Sequence, residues 1–239
     1  MRTASFSVGK NASAPLAVEG AAKFAKENNL TRASRYDNVV VNLPHAHQIA
    51  HEYHEAPSFD QTAAPHYKAM AEETQRQFEF LTKPKHKGGL GVDVSVHDTD
   101  PYKKARDMIG DVSQGKLKVL STKSTGGHPI FSNDVNDQFR AVHDFFGHAA
   151  TGRGFDPHGE EAAYRSHHAM FSKLAGPAMA TETRGQNSAL NYGSNPGEFA
   201  EQKVAVLPSA SKIIPIRRSD VFHQATAEAK RAHEKAFGV

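Results

Sequence analysis

The sequence has no cysteine and no tryptophan among its 239 residues. Without cysteine the chain can form no disulfide, no thiolate-bound zinc site and no cysteine nucleophile. Any metal ion must therefore be held by nitrogen and oxygen ligands, that is, by histidine and carboxylate side chains. The chain carries 15 histidines and 26 acidic residues, so the material for such a site is present.

Long apolar runs are also missing from the sequence. No stretch approaches the roughly 20 apolar residues of a membrane-spanning helix. The first residues, MRTASFSVGKNASAPLAVEG, lack the apolar core of a signal peptide. We therefore expect a cytoplasmic protein that does not associate with a membrane.

The chain has little excess charge of either sign. Its formal net charge is +3, and the basic residues are spread along the chain. Nucleic-acid binding through a basic patch is therefore only weakly supported. We expect the partner to be a small polar or anionic substrate, and the composition does not indicate an oligomeric state.

The hydrophobic pattern predicts a mainly α protein of the α+β class, with a helical body and a small β-sheet or hairpin. We expect a single domain over residues 1–239, with 1–16 as a mobile N-terminal arm. Helices are predicted over 16–30, 65–81, 100–115, 135–147, 159–175, 177–190, 197–206 and 219–236. Strands are predicted over 88–98 and 116–122, a strand or extended segment over 35–44, and a solvated loop at HEYHE (51–55).

The stretch FRAVHDFFGH contains two histidines within one predicted helix. Its apolar positions from Phe139 to Phe146 follow the helical period and define a buried face, so His143 points inward. His148 comes five positions later, about 140° around an ideal helix. The two histidines can share a ligand only if the helix ends or distorts near Gly147.

Two histidines and one carboxylate on one face match the facial triad of non-haem iron(II) oxygenases. With a water in the open position, the same ligands could hold catalytic zinc. We predict Glu182 as the carboxylate. The alternative is Glu161, which is seven positions from His168 and therefore on the same helical face. Glu160 and Glu161 equally suit the first turn of a helix without any further role. Asp144 is predicted to orient a ligand histidine by hydrogen bonding.

Several hydrogen-bonding residues follow Glu182 in the stretch ETRGQN. Arg184, Gln186 and Asn187 lie within five positions of this acid, beside small and apolar residues. This pattern predicts a polar pocket. Arginine suits a carboxylate or a phosphate, so the three residues are predicted to bind the substrate.

The stretch HPIFSNDVNDQFRAVHDFFGH resembles the catalytic core of the pterin-dependent aromatic amino acid hydroxylases, in which an H-E-x-x-G-H helix supplies two iron ligands. The resemblance implies His143 and His148 as ligands of Fe(II) and Glu182 as the third ligand. Asp144 stands where that family has glutamate. The pterin-binding motifs of the family have no counterpart, so the resemblance does not extend to a pterin.

The motifs FRAVHDFFGH and ETRGQN also resemble those of a family of bacterial and phage proteins that share FRAVHDxFGH and ETRGQN. This second resemblance implies an intracellular protein, of a bacterium or of a phage-infected host. It implies no particular reaction.

Two hypotheses of different classes follow. The first is a metal-dependent enzyme, either a non-haem iron oxygenase or hydroxylase, or a zinc hydrolase. The second is a non-enzymatic structural or phage-associated protein, in which His143, His148, Glu182 and Arg184 form a buried hydrogen-bonded network. An enzyme needs these side chains to line a cleft, whereas a structural network would be sealed from solvent.

Overall fold

A computed structural model describes residues 12–31 and 39–215. These residues confirm a mainly α fold with a small sheet. The helices are α1 (Pro15–Glu27), α2 (Leu43–Glu55), α3 (Ala64–Thr82), α4 (Ala105–Ser113), α5 (Asn133–His143), α6 (Pro157–His168), α7 (Gly176–Ala180) and α8 (Gln186–Tyr192), and the strands are β1 (Asp93–His97) and β2 (Lys116–Leu120). Each helix in the described ranges is too short or too polar to cross a membrane.

The two strands form a parallel pair, with Asp93 opposite Lys116 and His97 opposite Leu120. Parallel strands need a crossover connection, which here contains α4, so the alternative of a hairpin is wrong. The side chain of Val119 in β2 is buried, whereas Val96 in β1 is 51% exposed. The strand β1 therefore buries less of its predicted apolar face than β2 does.

Helix α2 is not among the predicted helices, and the interpretation of HEYHE as a loop is wrong. The helix begins after Asn42, whose side chain accepts a hydrogen bond from the backbone N–H of His45 at 3.1 Å. Such a bond satisfies a donor that the first turn leaves without a partner. The HEYHE stretch lies at the end of α2, where Tyr53 is buried.

Other predicted elements also differ from the structure. The helix predicted over 197–206 is wrong, because the chain forms no helix there and Val204 forms a parallel bridge with Phe59. Of the segment 35–44, the described residues before α2 form no strand. The helix predicted over 219–236 and residues 1–11 of the predicted arm lie outside the described residues.

Helix α5 occupies the centre of the fold, in contact with α3 on one side and α6 on the other. It continues into a π-helix over Asp144–Ala149, which also contacts α1 and α4. A second π-helix, Thr181–Gly185, joins α7 to α8. Short π-helical turns inside α-helices occur frequently at functional sites. Of the two histidines of the predicted metal site, His143 directly precedes the first π-helix and His148 lies within it.

Candidate metal centre

The π-helix Asp144–Ala149 brings the two predicted histidine ligands together. Helix α5 buries Phe139 and Val142, as predicted, and ends at His143. In a π-helix the backbone hydrogen bonds join residues five apart, so side chains with this spacing share a face. The rings of His143 and His148 accordingly lie 5.2 Å apart between centroids. The expected distortion of the helix near Gly147 is confirmed.

Glycine at position 147 lets α6 approach this π-helix closely. A Cβ atom at Gly147 would lie 3.0 Å from the Cβ atom and 3.2 Å from the carbonyl oxygen of Ala163. The start of α6 is fixed by Asp156, whose carboxylate accepts hydrogen bonds from the backbone N–H groups of His158 and Gly159 at 3.1 Å each. These two constraints place the first turn of α6 beside the histidines.

Glu160, in the first turn of α6, is the carboxylate that faces both histidines. Its oxygens lie 3.4 Å from Nε2 of His148 and 3.8 Å from Nε2 of His143. One ligand atom from each of the three residues lies within 4.8 Å of the others. Two ligands at about 2.1 Å from a tetrahedral metal are about 3.4 Å apart. The three side chains therefore need only small rotations to hold one metal ion.

The hydrogen bond of His148 presents its second ring nitrogen as a ligand. Its Nδ1 lies 3.3 Å from the backbone carbonyl oxygen of Arg153. A carbonyl only accepts hydrogen bonds, so Nδ1 carries a proton, and it is Nε2 that offers a lone pair once the ring is neutral. A hydrogen bond of this kind fixes the tautomer and the orientation of metal-bound histidines in general.

His143 is oriented by a longer chain of hydrogen bonds that begins at Gln77 in α3. The amide nitrogen of Gln77 donates to the carbonyl of Met170 at 3.3 Å, so its oxygen faces His167. Nε2 of His167, at 2.9 Å, must then donate to that oxygen. Nδ1 of His167 is left as an acceptor for Nδ1–H of His143 at 3.3 Å. The lone pair of His143 is therefore on Nε2, which faces Glu160.

The electrostatics of the group are those of a histidine–carboxylate ion pair. Burial lowers the pKa of His148, but the charge and hydrogen bond of Glu160 outweigh it and raise the pKa to about 9. Burial raises the pKa of Glu160, yet the two histidines lower it overall to below its usual range. A metal ion would take the place of the proton on His148, because metal ligands must be deprotonated.

Asp144 lies close to the centre without taking its predicted role. Burial raises its pKa, against the opposing charges of His148 and His143. Within the described ranges its side chain makes no hydrogen bond, so the backbone of Arg153 and the ring of His167 orient the two ligands instead.

Glu182, the predicted third ligand, is not part of the group. Its carboxylate accepts hydrogen bonds from Tyr67 at 2.8 Å, Gln186 at 2.7 Å and Gln202 at 2.9 Å, and lies 3.2 Å from Nε2 of His128. The side chains of Glu182 and His128 are only 3% and 2% exposed. This Glu182 network is therefore sealed, and it also accounts for Gln186.

The Glu182 network and the candidate centre lie at different levels of α3. Tyr67 belongs to the network, and Gln77 belongs to the chain that orients His143. Ten residues of an α-helix correspond to about 15 Å along its axis. The structure thus divides the predicted site into two separate clusters.

Arg184 and Glu161 form a third cluster. The guanidinium group of Arg184 makes a two-point ion pair with Glu161, whose other partner is Arg165 at 2.7 Å. It also donates to the carbonyl oxygens of Ala210 and Lys212 at 3.0 and 2.7 Å. Arg184 is thus mainly an anchor for the 210–212 segment, and both oxygens of Glu161 are bound by arginines.

Sequence reasoning missed Glu160 as a ligand, although the sequence contains a signal for it. The Asp-Pro pair at 156–157 sets where α6 begins. Ala163 and Gly147 are the small residues at which α6 and the π-helix touch. Glu160 precedes Ala163 by three positions and therefore shares its helical face, while Glu161 points elsewhere.

Comparison of the chain with protein-family models, with curated proteins and with solved structures finds no significant match. The two resemblances seen in the sequence therefore remain predictions.

Proposed function

We propose that the protein is a metal-dependent enzyme whose single metal ion is bound by His143, His148 and Glu160. One observation carries this proposal: the Nε2 atoms of two histidines and one carboxylate converge, and Nδ1 of each ring is held by a hydrogen bond to another group of the protein. An ion pair between His148 and Glu160 alone would not require Nε2 of a second histidine to face the same carboxylate. A metal site requires its ligand atoms to be oriented toward one point in this way.

Accessibility also favours an enzyme over a purely structural network. The side chain of Glu160 is 23% exposed and lines a cleft, so a small molecule can reach this edge of the centre. His148 on the opposite side is 2% exposed. The sealed Glu182 network, by contrast, fits the structural role that was the alternative for the whole site.

We propose iron(II) as the resident metal, with zinc as the second candidate. Two histidines and one carboxylate with open positions form the usual ligand set of non-haem iron(II) oxygenases, which agrees with the resemblance to the hydroxylases. Iron would supply dioxygen chemistry and zinc would supply hydrolysis. The 3.4 Å separation of His148 and Glu160 is also compatible with a tetrahedral zinc site.

The test is metal stoichiometry. The untagged protein would be loaded anaerobically with iron(II), or separately with zinc, desalted, and measured by inductively coupled plasma mass spectrometry. We expect close to one ion per chain, and loss of that ion in a folded His143→Gln/His148→Gln variant. Wild-type protein that retains no metal after either loading would overturn the proposal.

A further inference from the structure

A cleft between α2, α6 and α8 opens beside Glu160. Its polar lining comprises Asn42, His45, Glu160, Arg165, Asn187 and Ser188, with the Arg184–Glu161 pair behind them. Because Glu160 belongs to both the candidate metal centre and the cleft wall, a molecule in the cleft would lie beside the metal.

The cleft wall holds hydrogen-bond donors that no other described residue accepts from. Arg165 donates through Nε to Glu161 and through Nη2 to the carbonyl of Ile214, which leaves Nη1. The side-chain oxygen of Asn42 caps α2. Across residues 12–31 and 39–215, the side-chain amide groups of Asn42 and Asn187 donate no hydrogen bond. Nη1 of Arg165 and the side-chain amide groups of Asn42 and Asn187 therefore border the cleft and could each donate a hydrogen bond to a bound molecule.

The charges around the cleft favour an anion once a metal is bound. The carboxylates of Glu160 and Glu161 balance the guanidinium groups of Arg165 and Arg184. Burial, followed by the charge of Arg184, lowers the pKa of His45, so this ring is neutral. A divalent metal at Glu160 would give the lining an excess of two positive charges.

We infer that this cleft binds the substrate of the metal centre through an oxyanion group, a carboxylate or a phosphate, held by Arg165, Asn42 and Asn187. The inference rests on the proposed function, since Glu160 is both a ligand in the proposed metal centre and a lining residue of the cleft. It assigns the anion to the donors of the cleft wall instead of to Arg184, whose guanidinium group is already bound to Glu161 and to two carbonyls.

The test uses the zinc-loaded, full-length protein and two small probes, propionate and methyl phosphate. Each probe is titrated while the side-chain amide signals of Asn42 and Asn187 are followed by NMR. We expect saturable shifts of both signals, with an affinity that falls at least tenfold in Asn187→Asp. This substitution keeps the shape of the side chain and replaces a donor by a negative charge. The exposed Asn195→Asp variant adds the same charge outside the cleft and should bind as wild type does.

Zinc affinity, measured for each variant in the same buffer, separates the two proposals. Normal zinc binding without shifts of the two amide signals, or equal probe binding by wild type and Asn187→Asp, would overturn the cleft assignment and leave the metal centre intact. Absence of zinc binding would defeat the proposed function, and with it the role of the cleft as its substrate site. A response to propionate alone identifies the group as a carboxylate, and a response to methyl phosphate alone identifies a phosphate.

Discussion

His148 and Glu160 face each other across the contact of the π-helix with α6, with 3.4 Å between Nε2 and Oε1. The local sequence around each residue does not by itself determine where the side chains of His148 and Glu160 lie. The π-helix turns His148 onto the face of His143, and the Asp156 cap sets where Glu160 lies in the first turn of α6. The same contact holds a proton when the site has no metal and can hold a metal ion in its place.

The two glutamates that compete for the role of third ligand can be separated by matched substitutions. We expect Glu160→Gln to weaken zinc or iron(II) binding at least about a hundredfold, because losing a direct ligand costs at least as much as losing an outer hydrogen bond, about 10–100-fold. Glu182→Gln should leave metal affinity within a few-fold of wild type. Competition titration with a chromophoric chelator measures both affinities.

Stability should respond in the opposite order. Glu182 accepts hydrogen bonds from Tyr67, Gln186 and Gln202 in a sealed network. Glu182→Gln turns an acceptor into a donor there and should cost about 1–3 kcal/mol of unfolding free energy. If Glu182→Gln abolished metal binding in a folded protein while Glu160→Gln retained it, the assignment of the ligand would be wrong.

The chain from Gln77 to His143 makes a prediction about tautomers. Gln77→Leu removes the acceptor that holds the proton on Nε2 of His167, so His143 should populate both neutral tautomers. We expect metal affinity to fall about 10–100-fold. Long-range proton–nitrogen NMR of the metal-free protein should show the Nδ1–H form of His143 in wild type and a mixture in Gln77→Leu.

A conservative variant distinguishes positioning from packing. Gln77→Glu keeps an acceptor toward His167 but loses the bond to the carbonyl of Met170. It should therefore retain the tautomer of His143 while lowering stability. An unchanged tautomer spectrum in Gln77→Leu would show that Gln77 only fills space.

How much the sequence predicts depends on how local the cause is. His143, His148 and the distortion at Gly147 follow from helical spacing within one segment. Glu160 does not, because its direction depends on the contact of Gly147 with α6 across the fold. The polar neighbours of Glu182 in the sequence indicate a ligand site, but Gln186 bonds to Glu182 itself and completes a separate cluster.

The missed and mistaken elements have similar physical reasons. Helix α2 has a narrow buried face formed by Ala46, Ile49, Ala50 and Tyr53. The histidines and glutamates of its exposed side make the helical hydrophobic pattern difficult to recognise in the sequence. The 197–206 segment has helical composition, yet it forms no helix, and Val204 pairs with Phe59 instead. In both cases tertiary packing outweighs a weak local preference.

Gly147→Ala tests the close approach that positions Glu160. The added methyl group would lie 3.0 Å from the Cβ atom of Ala163, so α6 must move away from the π-helix. Overpacking of this kind costs about 1–3 kcal/mol. We expect lower stability by urea unfolding together with weaker metal binding, since Glu160 moves with α6.

A matched control for this effect is Gly110→Ala in α4. Beyond the local helix backbone, no heavy atom of the described residues lies within 4 Å of the Cβ position there, and a helical alanine is favoured over glycine. This variant should be as stable as wild type or more so, with unchanged metal affinity. Wild-type metal affinity and stability in Gly147→Ala would show that the approach of α6 does not depend on this glycine.

Arg184 should prove to be a structural residue. Its charge is buried against Glu161, and removing one partner of a buried ion pair typically costs about 3–5 kcal/mol. We expect a loss of this size in Arg184→Met, measured by urea unfolding. The double variant Arg184→Met/Glu161→Met should recover part of it, because it also removes the buried carboxylate that loses one of its two arginine partners. An Arg184→Met protein as stable as wild type would contradict the anchoring role.

His168 makes stability depend on pH. Burial, aided by the charge of Arg184, lowers its pKa from 6.5 to about 4 in the folded protein. Between these two values the unfolded chain binds a proton that the folded protein excludes, so the unfolding free energy should fall as the pH falls from about 6.5 to about 4. Below that range both states are protonated and His168 adds no further slope.

The measurement is urea unfolding at several pH values in this window, for wild type and His168→Asn. One proton corresponds to a slope of about 1.4 kcal/mol per pH unit, so the wild-type curve should be steeper than that of the variant by up to this amount. The exposed His51→Asn variant controls for the loss of an imidazole as such. Parallel curves for wild type and His168→Asn would mean that the folded protein accommodates the charged ring, and that the packing of His168 against Tyr164 opens to admit water.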